Sequence, residues 1–134
     1  MIVKNIKTIT IIAICTTIST TSLLAHATLT IRNNTSFSSS AIINDGMCSN
    51  EMGTEGITAP NSGHVISDEI IGYACDTFPC KAEIFANDSC SRSDGNPIAI
   101  ITIADTNTIA TIDDHHVGSF KIAGGGNYVE VNGG

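Results

Sequence analysis

The chain has 134 residues, with 13 Asp and Glu against six Lys and Arg, a formal net charge of −7, no Trp and 4% aromatic residues. Such an acidic surface is repelled by phosphate backbones and anionic lipid heads, which argues against nucleic acid and favours a cationic or polar ligand, or a basic patch on another protein. The length suits one domain with a modest core and is too short for two.

Lys4 and Lys7 begin the chain, an apolar stretch diluted by threonine covers residues 9–24, and Ala25-His26-Ala27 has the small-x-small pattern of a signal peptidase site. Residues 1–27 therefore read as a cleaved Sec-type signal, with the mature chain starting at Thr28. Cys15 follows Ile14 rather than the small residue that precedes a lipidated cysteine, so it reads as an ordinary apolar residue of the signal. Removing 27 of the 134 residues leaves 107, with four basic side chains against 13 acids and a formal net charge of −9. No second apolar run reaches the roughly 20 residues that span a membrane. The expected destination is the cell exterior or, alternatively, the periplasm, with no membrane attachment after cleavage.

Residues 28–33 alternate as a strand, with Leu29 and Ile31 on one face and Thr28, Thr30 and Arg32 on the other. Residues 33–36 read as an Asn turn, and residues 38–43 as a second strand. Residues 44–63 hold Gly46, Gly53, Gly56 and Pro60 and read as irregular, with one short strand around 56–59. Residues 64–73 predict a third strand. Residues 81–86 predict a fourth, with Ala82 and Ile84 facing one way and Lys81, Glu83 and Phe85 the other. A polar loop covers residues 87–96. A meander follows: a buried strand at 97–104 with Pro97 at its start, then strands at 108–112, 117–123 and 128–132, joined by turns at 105–107, 113–116 and the glycine-rich 124–127. No long segment carries the 3.6-residue period of an amphipathic helix. The pattern predicts an all-β fold, a single antiparallel β-sandwich of about seven to nine short strands spanning residues 28–134.

Cys48, Cys75, Cys80 and Cys90 are an even set in an exported chain, which reads as two disulfides. Cys75 and Cys80 bracket a loop of four residues that closes readily on itself. A strand between Cys80 and Cys90 carries them beyond the ~7 Å limit between Cα atoms. Cys75–Cys80 with Cys48–Cys90 is therefore favoured over Cys48–Cys75 with Cys80–Cys90. The absence of close C-x-x-C pairs argues against zinc and against a redox centre.

Asp113, Asp114, His115 and His116 are the most chemical-looking stretch, because carboxylates and imidazoles are the ligands of zinc and other transition metals. Only residues two apart share a face of a strand, so Asp113 with His115, or Asp114 with His116, supplies two ligands at most. A third would come from elsewhere, with His64 as a candidate. The plainer reading is a polar hairpin turn. The oxygen-rich loop at residues 87–96 is similar to calcium-coordinating loops but lacks the D-x-D-x-D-G spacing and holds Arg92, which competes for its carboxylates. No serine lies in G-x-S-x-G, and no cofactor is implied.

The mature chain also resembles a group of small exported proteins of Legionella-like bacteria. The resemblance is carried by Thr28-Leu29-Thr30-Ile31 with Asn33-Asn34-Thr35, by the cysteine order ending in Cys75-x4-Cys80 and Cys90, and by the close Val129-Glu130-Val131-Asn132-Gly133-Gly134. It implies export and a β fold, and it transfers no catalytic residues. These features together point to a binding or interaction module rather than an enzyme. Its recognition loops are residues 44–63 and 87–96, tied by the Cys48–Cys90 bridge and carrying Asp45, Glu51, Glu55, Asp88 and Asp94. The alternatives are a small metal-dependent hydrolase built on Asp113 to His116 and a structural envelope protein.

Overall fold

The computed structural model describes residues 28–92 and 97–134. The signal expected at residues 1–27 and the loop acid Asp94 lie outside the described residues. β-Branched residues alternating with polar ones make eight strands among the described residues. They are β1 (Thr28–Asn34), β2 (Ser40–Ile43), β3 (Ser62–Ser67), β4 (Cys80–Phe85), β5 (Ala99–Asp105), β6 (Thr108–Asp114), β7 (Lys121–Gly125) and β8 (Tyr128–Asn132). Two four-stranded sheets result, ordered β3-β1-β8-β7 and β2-β4-β5-β6. Leu29, Ile122, Val129 and Val131 from the first sheet meet Ala82, Ile84, Ala99, Ile101, Ile103 and Ile109 from the second in one buried core. Burying each of the larger aliphatic side chains stabilises by roughly 1.5–3 kcal/mol.

The sandwich is not wholly antiparallel. β1 pairs with β8 in parallel, Ile31 opposite Val129 and Asn33 opposite Val131, while the other strand pairs are antiparallel. β1 and β8 are the first and last strands, so no hairpin sets their direction.

The strand expected over residues 64–73 ends at Ser67. A short helix, α1 (Asp68–Ala74), takes its second half. Ser67 is extended and its Oγ accepts the Ile70 N–H at 3.3 Å, while Asp68 and Glu69 place negative charge in the first turn. The cap and the helix dipole outweigh the strand preference of Ile70-Ile71. Ile71 is buried in the core.

Residues 44–63 are more ordered than their composition suggests. A 3-10 segment, Ser49–Gly56, bends at Gly53 (φ 72°) and is followed by an isolated bridge between Ser39 and Thr58. A Cβ on Gly56 would lie 1.7 Å from the Ser49 carbonyl oxygen, so this close approach needs glycine.

The later turns are displaced from their expected positions: the β6–β7 connection is longer and the β7–β8 turn tighter. β6 runs on through Asp113 and Asp114, which pair with Ile100 and Ala99. β7 begins only at Lys121 and keeps Gly124 and Gly125, leaving Gly126 and Asn127 to make the turn into β8.

Asn33 ties these parts together. It is fully buried at the end of β1. Its Nδ2 donates to the Phe37, Thr58 and Ala59 carbonyls at 2.7, 3.2 and 3.2 Å, and its Oδ1 accepts the Thr35 N–H and hydroxyl at 3.1 and 2.8 Å. An amide is suited to this role, because it presents donors and an acceptor at opposite corners of one planar group.

Candidate binding site

Both proposed recognition loops are anchored to the β2 side of the sandwich. Disulfides join Cys48 to Cys90 and Cys75 to Cys80. The Ser40 hydroxyl donates to the Asn87 carbonyl at 2.7 Å and accepts the Cys90 N–H at 3.1 Å. The Ser49 Oγ accepts the Ala41 N–H at 2.9 Å and donates to the Gly56 carbonyl, pinning the 3-10 segment to β2. Asn87 folds its own loop by accepting the Ser89 and Ser91 N–H groups.

Beneath the 3-10 segment the two sheets do not meet fully. A cavity of about 80 Å³ opens there. Leu29, Ile66, Val129 and Val131 line one wall, and Ala41, Ala82, Ile84 and Ile101 the other. Its cause is legible in the side chains: Ala41 and Ala82 are short where most inward positions carry Ile or Val. Exposed Met52 and Glu55, with Gly56, border it on one side and His64 and Ile66 of β3 on the other, while Thr58 lines it from a buried position. Ile70 of α1 also lines the cavity.

Of the acids expected to mark a binding surface, Asp45, Glu51, Glu55 and Asp88 are exposed. Only Glu55 reaches the cavity lip. Met52 and Met47 share this loop and stay 47% and 77% exposed, although methionine usually seeks burial. Sequence reasoning passed over Met52, Ile66 and the two alanines. The signal for them was the small residue at alternate positions of β2 and β4, together with paired methionines in a glycine-rich loop.

The Asp113 to His116 stretch is built differently. The expected pairing of residues two apart occurs: His115 Nε2 lies 3.4 Å from Asp113 Oδ2, and His116 Nδ1 lies 3.8 Å from Asp114 Oδ2. The two pairs do not converge. The other nitrogen of His115, Nδ1, lies 2.9 Å from the Pro97 carbonyl and clasps the start of β5. Asp114 Oδ1 accepts the His116 N–H at 2.8 Å, and its Oδ2 accepts the Ile122 N–H at 3.2 Å, fastening β6 to β7. Burial alone would raise the Asp114 pKa. The two backbone donors and the adjacent imidazoles outweigh it and hold the carboxyl below its ordinary range. His64 lies on β3, across the sandwich from β6. Among the described residues no three His, Cys, Asp or Glu side chains gather where a metal ion could sit. Arg92 pairs with Glu83 and lies 5.7 Å from the centre of the Phe85 ring.

A second hollow, of about 190 Å³, lies among Phe37, Phe85, Ile98, Val117 and Phe120. Phe37 and Phe120 meet edge to face across it, with ring centres 5.8 Å apart.

The family model described as "T2SS substrate NttC" matches residues 3–113. The chain belongs to the NttC family. The crystal structure of the Legionella pneumophila type II secretion system substrate NttC has the same fold, with a TM-score of 0.57 and 21% identity, covering 81% of this chain and 98% of that one. No curated protein matches the chain. The NttC family is one of exported, secreted proteins, in keeping with the leader-like start and the paired cysteines. Among the described residues no helix is long and apolar enough to cross a membrane.

Proposed function

We propose that this protein is a secreted binding module that holds a small apolar group of its ligand in the cavity between the sheets. The observation that carries the reading is the cavity itself: an aliphatic hole with an opening, roofed by a loop that a disulfide and two serine hydroxyls hold in place. A preformed apolar recess with a few polar groups at its rim is the usual form of a small-ligand site. Export through a Sec-type signal cut after Ala27 and release to the cell exterior belong to the same reading. Titrating the mature protein with isobutanol, while following its methyl groups by NMR, tests it. The expected result is saturable shifts at Ile66, Ile70 and Val129, with Val117 of the second hollow unmoved. Absence of saturable shifts around the cavity would overturn it.

A further inference from the structure

The cavity opens beside an unprotected strand. Among the described residues β3 pairs only with β1, so its outer row of N–H and C=O groups has no ladder partner. The other edges are managed. Cys48 bridges Ile42 of β2, Thr58 bridges Ser39 just before it, and Ile109 of β6 bridges Gly126 just after β7. Sheet edges are commonly blunted by Lys, Pro or inward charge. β3 reads Ser62-Gly63-His64-Val65-Ile66-Ser67 and has neither Lys nor Pro. Val65 is 61% exposed on its outward face.

Resting on the binding reading above, we infer that the ligand is a basic, extended peptide that adds as a strand to β3 and lowers one aliphatic side chain into the cavity. Three observations converge on this occupant. An added strand would lie about 4.8 Å from β3, and every second side chain would point toward the core side. His64 and Ile66 are the β3 residues on that side, and they form one lip of the cavity. The hole also has a matching size. At about 80 Å³ it is close to half of the ~150 Å³ cavity that takes benzene, which suits a branch of roughly three or four carbons such as that of valine or leucine. The charge is matched as well. Glu55 stands at the opposite lip and Glu51 is exposed on the same segment, in a mature chain of net charge −9. The same negative charge opposes a second copy of this chain at the edge. Backbone pairing would supply affinity and the pocket would supply choice of side chain, as in other strand-addition complexes.

The test uses the mature protein and a blocked seven-residue peptide. Leucine stands at its centre, threonine two positions to either side, and lysine at the four remaining positions. Fluorescence anisotropy measures binding, and amide hydrogen exchange locates it. The expected result is saturable binding that protects amides within residues 62–67. It should weaken at least 10-fold when the central leucine becomes alanine. A comparable loss is expected in Ala41→Leu, which fills the cavity, with unfolding temperature and circular dichroism reporting that this variant is folded. Should Ala41→Leu not fold, the leucine-to-alanine peptide carries the comparison alone. Unchanged exchange on β3, or equal affinity for the leucine and alanine peptides, would overturn the inference. Isobutanol shifts without peptide binding would overturn it while leaving the apolar site intact, and loss of both would remove both. A sedimenting dimer that protects β3 without peptide would assign the edge to self-association and also overturn it.

Discussion

The two sides of this sandwich solve the same problem differently. On the β6–β7 side the sheets come together. The Ile109 N–H donates to the Gly126 carbonyl at 2.7 Å, and Asp114 fastens β6 to the start of β7. On the β2–β3 side they stay apart, and a disulfide-held loop spans the gap over an apolar hollow. The first side is closed by hydrogen bonds of the sheets themselves, the second by covalent and side-chain ties from outside them. A small fold with few aromatic residues can thus leave part of its core open where a staple substitutes for packing.

The largest expected effect comes from cutting that staple. Cys48→Ala with Cys90→Ala removes a link across 42 residues, worth about 4 kcal/mol in the chain-entropy model, against a domain stability of roughly 5–15 kcal/mol. The unfolding temperature should fall sharply, and limited proteolysis should cut first within residues 44–63. Cys75→Ala with Cys80→Ala, closing a separation of only five, should cost about half as much. Equal losses from the two pairs would mean that the long bridge does not govern the open side.

Next in size is the packing contrast. Ile122 on β7 is 6% exposed and lies away from the cavity, so Ile122→Ala should cost about 3 kcal/mol by leaving a new void. Ile66 on β3 already faces empty volume, and Ile66→Ala should cost only about 1 kcal/mol, because fewer contacts are lost. Denaturant midpoints at a common slope measure both. Similar losses would show the β3 side to be as tightly packed as the other.

The smallest effect is the response to acid. The Asp114 carboxyl has a lowered pKa in the fold, so it contributes stability above the ordinary carboxylate value and loses it as pH falls through the folded one. Wild type should therefore lose stability on acidification from about pH 4 downward, and Asp114→Asn should lose less over that interval. Because Asp114 lies on the closed side, acid should raise amide exchange around Ile122 before it does so on β3. A variant with the wild-type pH slope would remove Asp114 as the acid-sensitive tie.

Most strands were legible because alternation is written directly into the residues: Leu29 and Ile31, Ala82 and Ile84, Val129 and Val131. The cysteine pairing followed from loop length against strand length. Residues 68–73 were misread because Ile70 and Ile71 suit a strand, while the helix depends on one cap at Ser67 and two acids after it. The parallel β1–β8 pair was hidden because nothing local sets the direction of strands almost a hundred residues apart. The cavity was invisible for a related reason. It exists only where Ala41 and Ala82, 41 positions apart, face the same wall, and volume left unfilled has no signature in a linear pattern. The chemically suggestive Asp113 to His116 stretch drew attention by composition, and its atoms are engaged in holding β5, β6 and β7 in place.

The parallel pairing at the centre of the first sheet bears on when the molecule can come into being. β1 is made first, yet one of its two neighbours is made last, and β7 has no partner within its own sheet until residues 128–132 arrive. A nascent chain halted before Tyr128 would hold a half-built layer. Completion of this layer thereby waits for residues 128–132, with the slow closure expected of contacts between distant parts of a chain.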